Sequence, residues 1–582
     1  MLSDEQRAAL APQIRLIEAG PGAGKTRAVV ARFRERVAEG QCVALLSFTN
    51  AAVDVARSRC RDNPAVVDPP NFVGTFDQFF HRYVLTPDTR RRLSITPKYL
   101  SSWDDLPENL ALVRPPSGGA GIPLSQFIRD DNGRWVVAEN RLGWRSRTTW
   151  NKWSRSIRAG INQAGTQRIT SLYDRHVFDT NESRARALTL LTQHNSLWLS
   201  RLSYRFSEII VDEFQDCDKL EHALLDVLRA AGIHVVTVAD PDQAIYEFRQ
   251  STSGLYEEYR ASIRDDEITR LTVCYRSSPQ ICALATALRI VGQQPITAQP
   301  DRDGDSDVVY VVVGTGQRAG STALEIVRRY GIPARQVRVI AHGRSAARAL
   351  IRAGNQPPGG TSQMERLLVA IAELRSGVDP RGRLRALARA ESYVIDQFSW
   401  PDDQTPDTRS EQLDMLGLRP EHLRVLISTI RDASQDWTDK SKCAEDVRKL
   451  VRHFAEGLPL SLHPQFKRRT VVNDKLWNFW TSRIGGMITV TDADTVRWTH
   501  IHGVKGDEFD AVVLAISDPI RGQPHVLDDW HNDRNSELRR VLYVGASRAR
   551  KMLVLVIPPN RRDQLTHLLS TSGVKHEVTV AM

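Results

Sequence analysis

IRLIEAGPGAGKTRAVVARF, residues 14–33, decides how the rest of this 582-residue chain is read. Ile14, Leu16 and Ile17 form a short apolar run suited to a buried strand, and TRAVVARFRERVAE after Lys25 has helical apolar spacing ended by Gly40. Between them lies AGPGAGKT, the phosphate-loop pattern G-x-x-x-x-G-K-[ST] with Ala19 in the first glycine position. Gly20, Gly22 and Gly24, with Ala23 before the last, allow a tight turn whose N–H groups and following helix N-terminus face an anion. Lys25 is then placed to neutralise β- and γ-phosphates, and Thr26 to present a hydroxyl to Mg²⁺. A glycine-rich turn that bound nothing would not need Lys-Thr in that register. The stretch predicts a nucleoside-triphosphate site.

Composition narrows the class. The chain is 41% hydrophobic and 25% charged, as in a soluble globular protein, and its length predicts several domains. A net charge of +10 suggests a polyanionic partner. No apolar run is long enough to span a membrane and the N-terminus MLSDEQRAAL is polar, so neither a membrane span nor a signal peptide is expected. The six cysteines include no C-x-x-C pair, which argues against zinc, iron–sulfur and disulfide frameworks and for a reducing cytoplasm.

Further strand–turn–helix units follow the loop. CVALLSFTNAAVDVARSRC reads as a strand from Cys42 to Phe48 and a helix capped by Asn50. In a parallel sheet ligands meet the C-terminal strand ends, so Phe48, Thr49 and Asn50 emerge at a binding edge, where Phe48 can stack on a base and Thr49 can bond a phosphate. NFVGTFDQFFHRYVL repeats the scheme with Thr75 at the strand end; core packing is the favoured reading of Phe76, Phe79 and Phe80. FSEIIVDEFQD is a strand tipped by Asp212, suited to Mg²⁺, and Glu213, suited to taking a proton from the attacking water. HVVTVADPDQAIYEFRQS puts Gln243 where it can sense the γ-phosphate, with Tyr246 and Phe248 offering aromatic faces. LTVCYRSSPQICALATALR ends a strand in Tyr275 and Arg276, an aromatic face and a phosphoryl cation, before a helix capped by Ser277 or Ser278. Gln6, upstream of the loop, can read an adenine edge, and a helix-capping reading of Ser3-Asp4-Glu5 competes.

Residues 86 to about 200 are punctuated by Pro87, Pro97, Pro107, Pro115, Pro116 and Pro123. They include RLGWRSRTTWNKWSRSIR, residues 141–158, with six basic residues, no carboxylate, and Trp144, Trp150 and Trp153. Basic residues interleaved with aromatics suit nucleic acid, and the competing reading is a helix that buries its tryptophans.

In this order the motifs resemble the UvrD/Rep family of superfamily 1 DNA helicases. HIHGVKGDEFDAVVL from His500 and ELRRVLYVGASRARKMLVL from Glu537 resemble that family's fifth and sixth motifs. The resemblance implies an α/β chain of two RecA-like P-loop domains with parallel sheets, each carrying a mainly helical insertion. On this chain it implies a first RecA-like domain at 1–86 and 200–270 with an insertion at 87–199. It implies a second at 271–355 and 486–582 with an insertion at 356–485. Within that second insertion, RLRALARAESYVI and AEDVRKLVRHFAEGL have helical spacing of their own.

The resemblance also implies roles. Gln6 and Tyr275 resemble adenine contacts, Lys25 and Thr26 phosphate and Mg²⁺ ligands, Asp212 the Mg²⁺ carboxylate and Glu213 the catalytic base. Gln243 resembles the γ-phosphate sensor, Arg276 and Arg548 the two arginine fingers, and Glu508 a ribose contact. Phe48, Thr49, Thr75, Tyr246, Phe248 and His502 match positions that face the DNA strand. Departures are Ala19, Ala239, Asp77 in place of a frequent His, Asp507 and Ser547. The implied activity is ATP hydrolysis with Mg²⁺, coupled to 3′–5′ movement on single-stranded DNA and at single-strand/duplex junctions, in repair or recombination. Two alternatives stay open. One is a motor subunit beside a separate nuclease in phage defence, as in Gabija-type systems. The other is a nucleotide-dependent protein-binding switch that never translocates.

Overall fold

The computed structural model describes residues 2–106, 108–115, 121–130, 134–139, 142, 144–245, 254–289, 294–299, 307–351, 363–375, 380–400, 409–485, 496–519 and 524–581. Short apolar runs become strands of a parallel sheet, because such strands bury both faces under helices. They are β1 (Leu16–Ala19), β2 (Val43–Ser47), β3 (Phe72–Thr75), β4 (Glu208–Val211), β5 (His234–Ala239) and β6 (Ile268–Leu271). They lie in the order β6-β1-β5-β4-β2-β3, each adjacent pair parallel.

Alternate residues feed two cores. Leu16, Leu46, Ile209, Val211 and Val235 pack on one face, and Ile17, Leu45, Ile210, Val236 and Val238 on the other. Full burial of each such side chain is worth about 1.5–3 kcal/mol, so a six-stranded sheet covered twice is a stiff platform for its loops. A salt bridge from Arg32 on the helix after the phosphate loop to Glu208 on β4 is buried beneath it at 2.7 Å.

A second sheet repeats the plan with β7 (Val309–Val313), β8 (Val337–Ala341), β9 (Arg497–His500), β10 (Phe509–Ala515), β11 (Ala549–Ile557) and β12 (His576–Val580). Its order is β9-β8-β10-β11-β7-β12, again all parallel. Val311, Val512, Leu514 and Leu555 face one core, and Val312, Val513, Val554 and Val556 the other. The α/β class with parallel sheets is therefore as expected.

The chain forms two compact units, one of Met1–Tyr99, Thr180–Arg352 and Ala493–Met582, the other of Leu100–Asp179 and Ala353–Asp492. Both six-stranded sheets belong to the first. In it, Pro87 does not end a helix. Phe76–Phe80 runs through a π turn at His81–Leu85 into Thr86–Leu93, with the proline as the second residue of that last segment, directly after the π turn. Leu190, Leu191, Trp198 and Leu202 pack into the same core as Phe79 and Phe206. In the second unit Gln363–Arg375, Pro380–Ile395, Pro420–Ala433, Lys440–Ala455 and Asp474–Gly485 are helices sharing a core that includes Leu367, Tyr393, Ile427, Val447 and Phe479. No helix among the described residues is long and apolar enough to cross a membrane.

Candidate active site

The phosphate loop follows β1 and ends where the helix Lys25–Ala38 begins. Gly22 and Gly24 have φ of +71° and +81°, in the region that side chains resist. Space is tight as well. A Cβ on Gly24 would stand 2.5 Å from Gln6 Nε2, and one on Gly22 would stand 2.6 Å from Arg276 Cβ and 2.7 Å from Cys274 Sγ. The Lys25 ammonium is buried yet has no hydrogen-bond partner among the described residues. A buried cation left without an acceptor is costly, and a phosphate oxygen is the partner this loop is shaped to receive.

At the tip of β4, Asp212 and Glu213 adjoin. The Glu213 backbone has φ +57°, an uncommon conformation for a side-chain-bearing residue, and three bonds hold it. Its N–H donates to Asp212 Oδ1 at 2.9 Å, its carboxylate accepts from Gln215 Nε2 at 2.5 Å, and its carbonyl accepts from Asp216 N at 3.0 Å. Burial and then the neighbouring Glu213 charge raise the proton affinity of Asp212. Lys25, Lys505, Gln215 and Arg548 act the other way on Glu213, holding it ionised against its own burial. Asp212 and Thr26 supply the hard oxygen donors that suit Mg²⁺.

Cations enter from the second sheet's side. Arg548, just before β11, is 2% exposed, yet its hydrogen bonds go to neutral acceptors: Val544 O (3.1 Å), Asp507 O (3.4 Å), Ser547 Oγ (3.1 Å) and Gln243 Oε1 (3.4 Å). Burial and the like charge of Arg276 bring its pKa down to about 10. Arg276 donates to Ser547 O at 2.6 Å, and its nearest carboxylate is Glu508, at 3.8 Å. The Tyr275 backbone N–H donates to Gly22 O at 2.9 Å, tying this segment to the phosphate loop.

The turn Asp240–Ile245 after β5 is gripped closely from the second side. Gln243 Nε2 donates to Asp240 Oδ2 at 2.6 Å, and Tyr543 OH donates to the same oxygen at 3.1 Å. Arg289 pairs with Asp242 at 2.8 Å, Arg540 donates to Ala244 O at 2.8 Å, and Lys505 Nζ donates to Gln243 O at 2.9 Å. Lys505 also meets Asp216 at 2.5 Å. Sequence reasoning missed Lys505, Asp216, Tyr543 and Arg540. Lys505 and Asp216 stand inside quoted motifs, but nothing in local spacing says that they pair.

Other expected residues are placed as follows. Ser3 caps the helix Asp4–Ala8, and Gln6 completes its capping box and also donates to Ala23 O at 3.2 Å, fastening the phosphate loop. Thr49, not Asn50, caps the helix Asn50–Ser58, because its hydroxyl accepts from Ala52 N at 3.2 Å; Asn50 is the first helical residue and is exposed. Thr75 caps Phe76–Phe80 through Gln78 N, also at 3.2 Å. Phe48 is half-buried and stacked on Phe76, centroids 5.6 Å apart, while Phe76, Phe79 and Phe80 are core.

Ser278 takes the cap position of Pro279–Leu288 without a side-chain bond, while Ser277 donates to Ala549 O at 2.7 Å. His502 is half-buried with His342 and His500 near 6 Å, at 6.0 and 5.9 Å between ring centres, and its imidazole titrates below the usual range through burial and those neighbours. Glu508 is exposed. Tyr246 and Phe248 lie outside the described residues. Asp77 joins Asp218 and Glu221 around Arg184, at 2.8, 3.1 and 2.7 Å. In the second unit Trp150 is 2% exposed, beneath Arg158 and beside Trp153, so this ring is a core residue and no platform for a base.

A family model described as the UvrD/REP helicase N-terminal domain matches residues 2–102 and 145–263, and one for the UvrD-like helicase C-terminal domain matches residues 410–558. The chain belongs to the UvrD/Rep helicase family. DNA helicase II of Escherichia coli is 28% identical over 308 residues, covering 49% of this chain and 40% of that protein. ATP-dependent DNA helicase UvrD2 of Mycobacterium tuberculosis is 24% identical over 601 residues, covering 95% of this chain and 78% of the relative. The fission-yeast ATP-dependent DNA helicase srs2 is 22% identical over 320 residues, 49% of this chain and 34% of the relative. The match thus spans less than half of the bacterial helicase II and most of the mycobacterial protein.

Proposed function

We propose that this UvrD/Rep family member is an ATP-driven motor that steps 3′ to 5′ along single-stranded DNA and opens junctions, in repair or recombination. The observation that carries the reading is a set of cations around the Asp212–Glu213 pair, Lys25 and Arg548 acting on Glu213 and Arg276 standing beside Arg548. Lys25 and Arg548 have no carboxylate within ion-pair distance among the described residues. Such a cluster favours a polyanion to share, and the triphosphate of ATP is the anion a glycine loop of this kind cradles.

Mg²⁺, held by Thr26 and Asp212, would neutralise charge between the β- and γ-phosphates. Glu213, kept ionised, is the group able to accept a proton from the attacking water. Arg276 and Arg548 meet negative charge that grows on the transferring phosphoryl group, which rewards a closed cleft before hydrolysis and removes the reward after it. The turn at 240–245 touches both sides, and Tyr246 and Phe248 follow it in the sequence. The family implies that those residues, with Phe48, Thr49, Thr75 and His502, face the DNA strand.

Direction is tested by displacing streptavidin from end-biotinylated oligonucleotides. ATP-dependent release from the 5′ end is expected. Release from the 3′ end alone would reverse the polarity, and no release from either end would remove translocation from the account.

A further inference from the structure

We infer that Lys505 is a positioning residue that couples the DNA-facing loop at His502 to the hydrolytic end of the ATP site, through Asp216 and the carbonyl of Gln243. This rests on the proposed function and deepens it.

Lys505 Nζ bonds Asp216 Oδ2 at 2.5 Å and Gln243 O at 2.9 Å, so one ammonium joins two separate turns of the first sheet. Those turns carry the groups that handle water. Asp216 closes the turn of Glu213, and Gln243 is itself the residue whose amide lies between Asp240 and Arg548. Lys505 and Asp216 side chains are only 9% and 10% exposed, so solvent does little to weaken the link.

On its own side Lys505 stands midway in a short connection between β9 and β10. His502 lies three residues before it and Glu508 three after, while Ile501 and Val504 anchor the segment in the core. A displacement of the strand-facing end therefore reaches Lys505 within one turn of chain.

The choice of residue fits the task. An ammonium is a compact charge with three rotatable donors and can satisfy a carboxylate and a carbonyl at once; a planar guanidinium imposes a fork. A buried ion pair is a poor device for raising stability alone, because desolvation offsets much of the attraction. A contact that spans the two sides and grips both of these turns together serves coupling instead.

Full-length Lys505→Met, Lys505→Arg and the double variant Lys505→Met/Asp216→Leu are compared with the parent by steady-state ATP hydrolysis, titrating ATP and oligo(dT). For Lys505→Met the oligo(dT)-stimulated kcat should fall about 100-fold, the cost of a misplaced reacting group. KM for ATP and the half-saturating oligo(dT) concentration should hold, and Lys505→Arg should recover part of the rate. The double variant leaves no unpaired buried charge, so it folds even where the single one does not, and it should lose the same stimulation. Stimulated rates like the parent's in the folded variants overturn the inference. So does a joint loss of kcat, ATP binding, DNA binding and thermal stability that arginine does not relieve, which is the mark of a merely structural pair. A parent that oligo(dT) fails to stimulate overturns the proposed function itself, and that result shows in the unaltered chain.

Discussion

The two six-stranded sheets have one topology and opposite chemistry. Aligned strand by strand, β6-β1-β5-β4-β2-β3 corresponds to β12-β7-β11-β10-β8-β9. In the first sheet, β1 runs into the glycine loop and Lys25, and β4 into Asp212 and Glu213. In the second, β7 runs into Gly314-Thr315-Gly316-Gln317 with no lysine at the helix start, and β10 into Ile516-Ser517. What the second sheet offers is cationic, Arg548 before β11 and Lys505 before β10. A parallel sheet sets where strand ends meet a ligand, and the residues just beyond the strands decide which half of a reaction each sheet serves.

Breaking the second sheet's contribution should have the largest effect. Arg548→Ala should lower kcat for ATP by about 10³–10⁵, the span for arginine fingers, while equilibrium binding of a fluorescent ATP analogue changes little. Removing the first sheet's base comes next: Glu213→Gln should cost about 10²–10⁴ in kcat, read by phosphate release.

Acid should act on the first sheet's side through two buried histidines. Burial lowers His81 and His222, both on the first sheet's side, from 6.5 to about 4. The unfolded chain therefore binds protons between these values that the folded chain refuses, and stability falls as pH drops from about 6.5 to about 4. Thermal melts at stepped pH should show this loss, and replacing both histidines with glutamine should reduce it.

Gly24→Ala should cost on the order of 1–3 kcal/mol and weaken ATP binding, since φ +81° and Gln6 both oppose a Cβ. Gly316→Ala at the matching helix start of the second sheet has φ +63° but open space, so it should leave ATP binding unchanged. Isothermal titration with ATP analogues compares the two. The smallest effect is expected in the other compact unit. Arg147→Ala with Lys152→Ala, both exposed, should lower the salt slope of oligonucleotide binding by about one to two, measured by anisotropy across salt concentrations.

Much of this was legible from residues in order along the chain. AGPGAGKT and the apolar runs behind it required a parallel α/β fold, since strand, turn and helix are local signals. The half-site carried by β1 and β4 was readable for the same reason. Pairings across long separations were not. Lys505 and Asp216 are 289 residues apart, and Arg32 and Glu208 are 176 apart; no period or spacing announces either contact. Side chains with two uses were also ambiguous. Gln6 and Thr75 have the chemistry for a ligand and also serve helix ends, Thr75 as an N-cap and Gln6 as the third residue of the capping box begun by Ser3. Trp150 carried the composition of a nucleic-acid surface because its neighbours are basic, but its ring faces inward. Pro87 read as punctuation because a proline lacks a donor, yet it stands inside a continuous helical run from Phe76 to Leu93 that includes a π turn.

The most direct test of the central claim is steady-state ATP hydrolysis with and without single-stranded DNA, with Glu213→Gln as the blank. Strong stimulation by DNA that disappears in the variant is the predicted result. A rate indifferent to DNA, or one that survives loss of Glu213, would contradict a motor built from these two sheets.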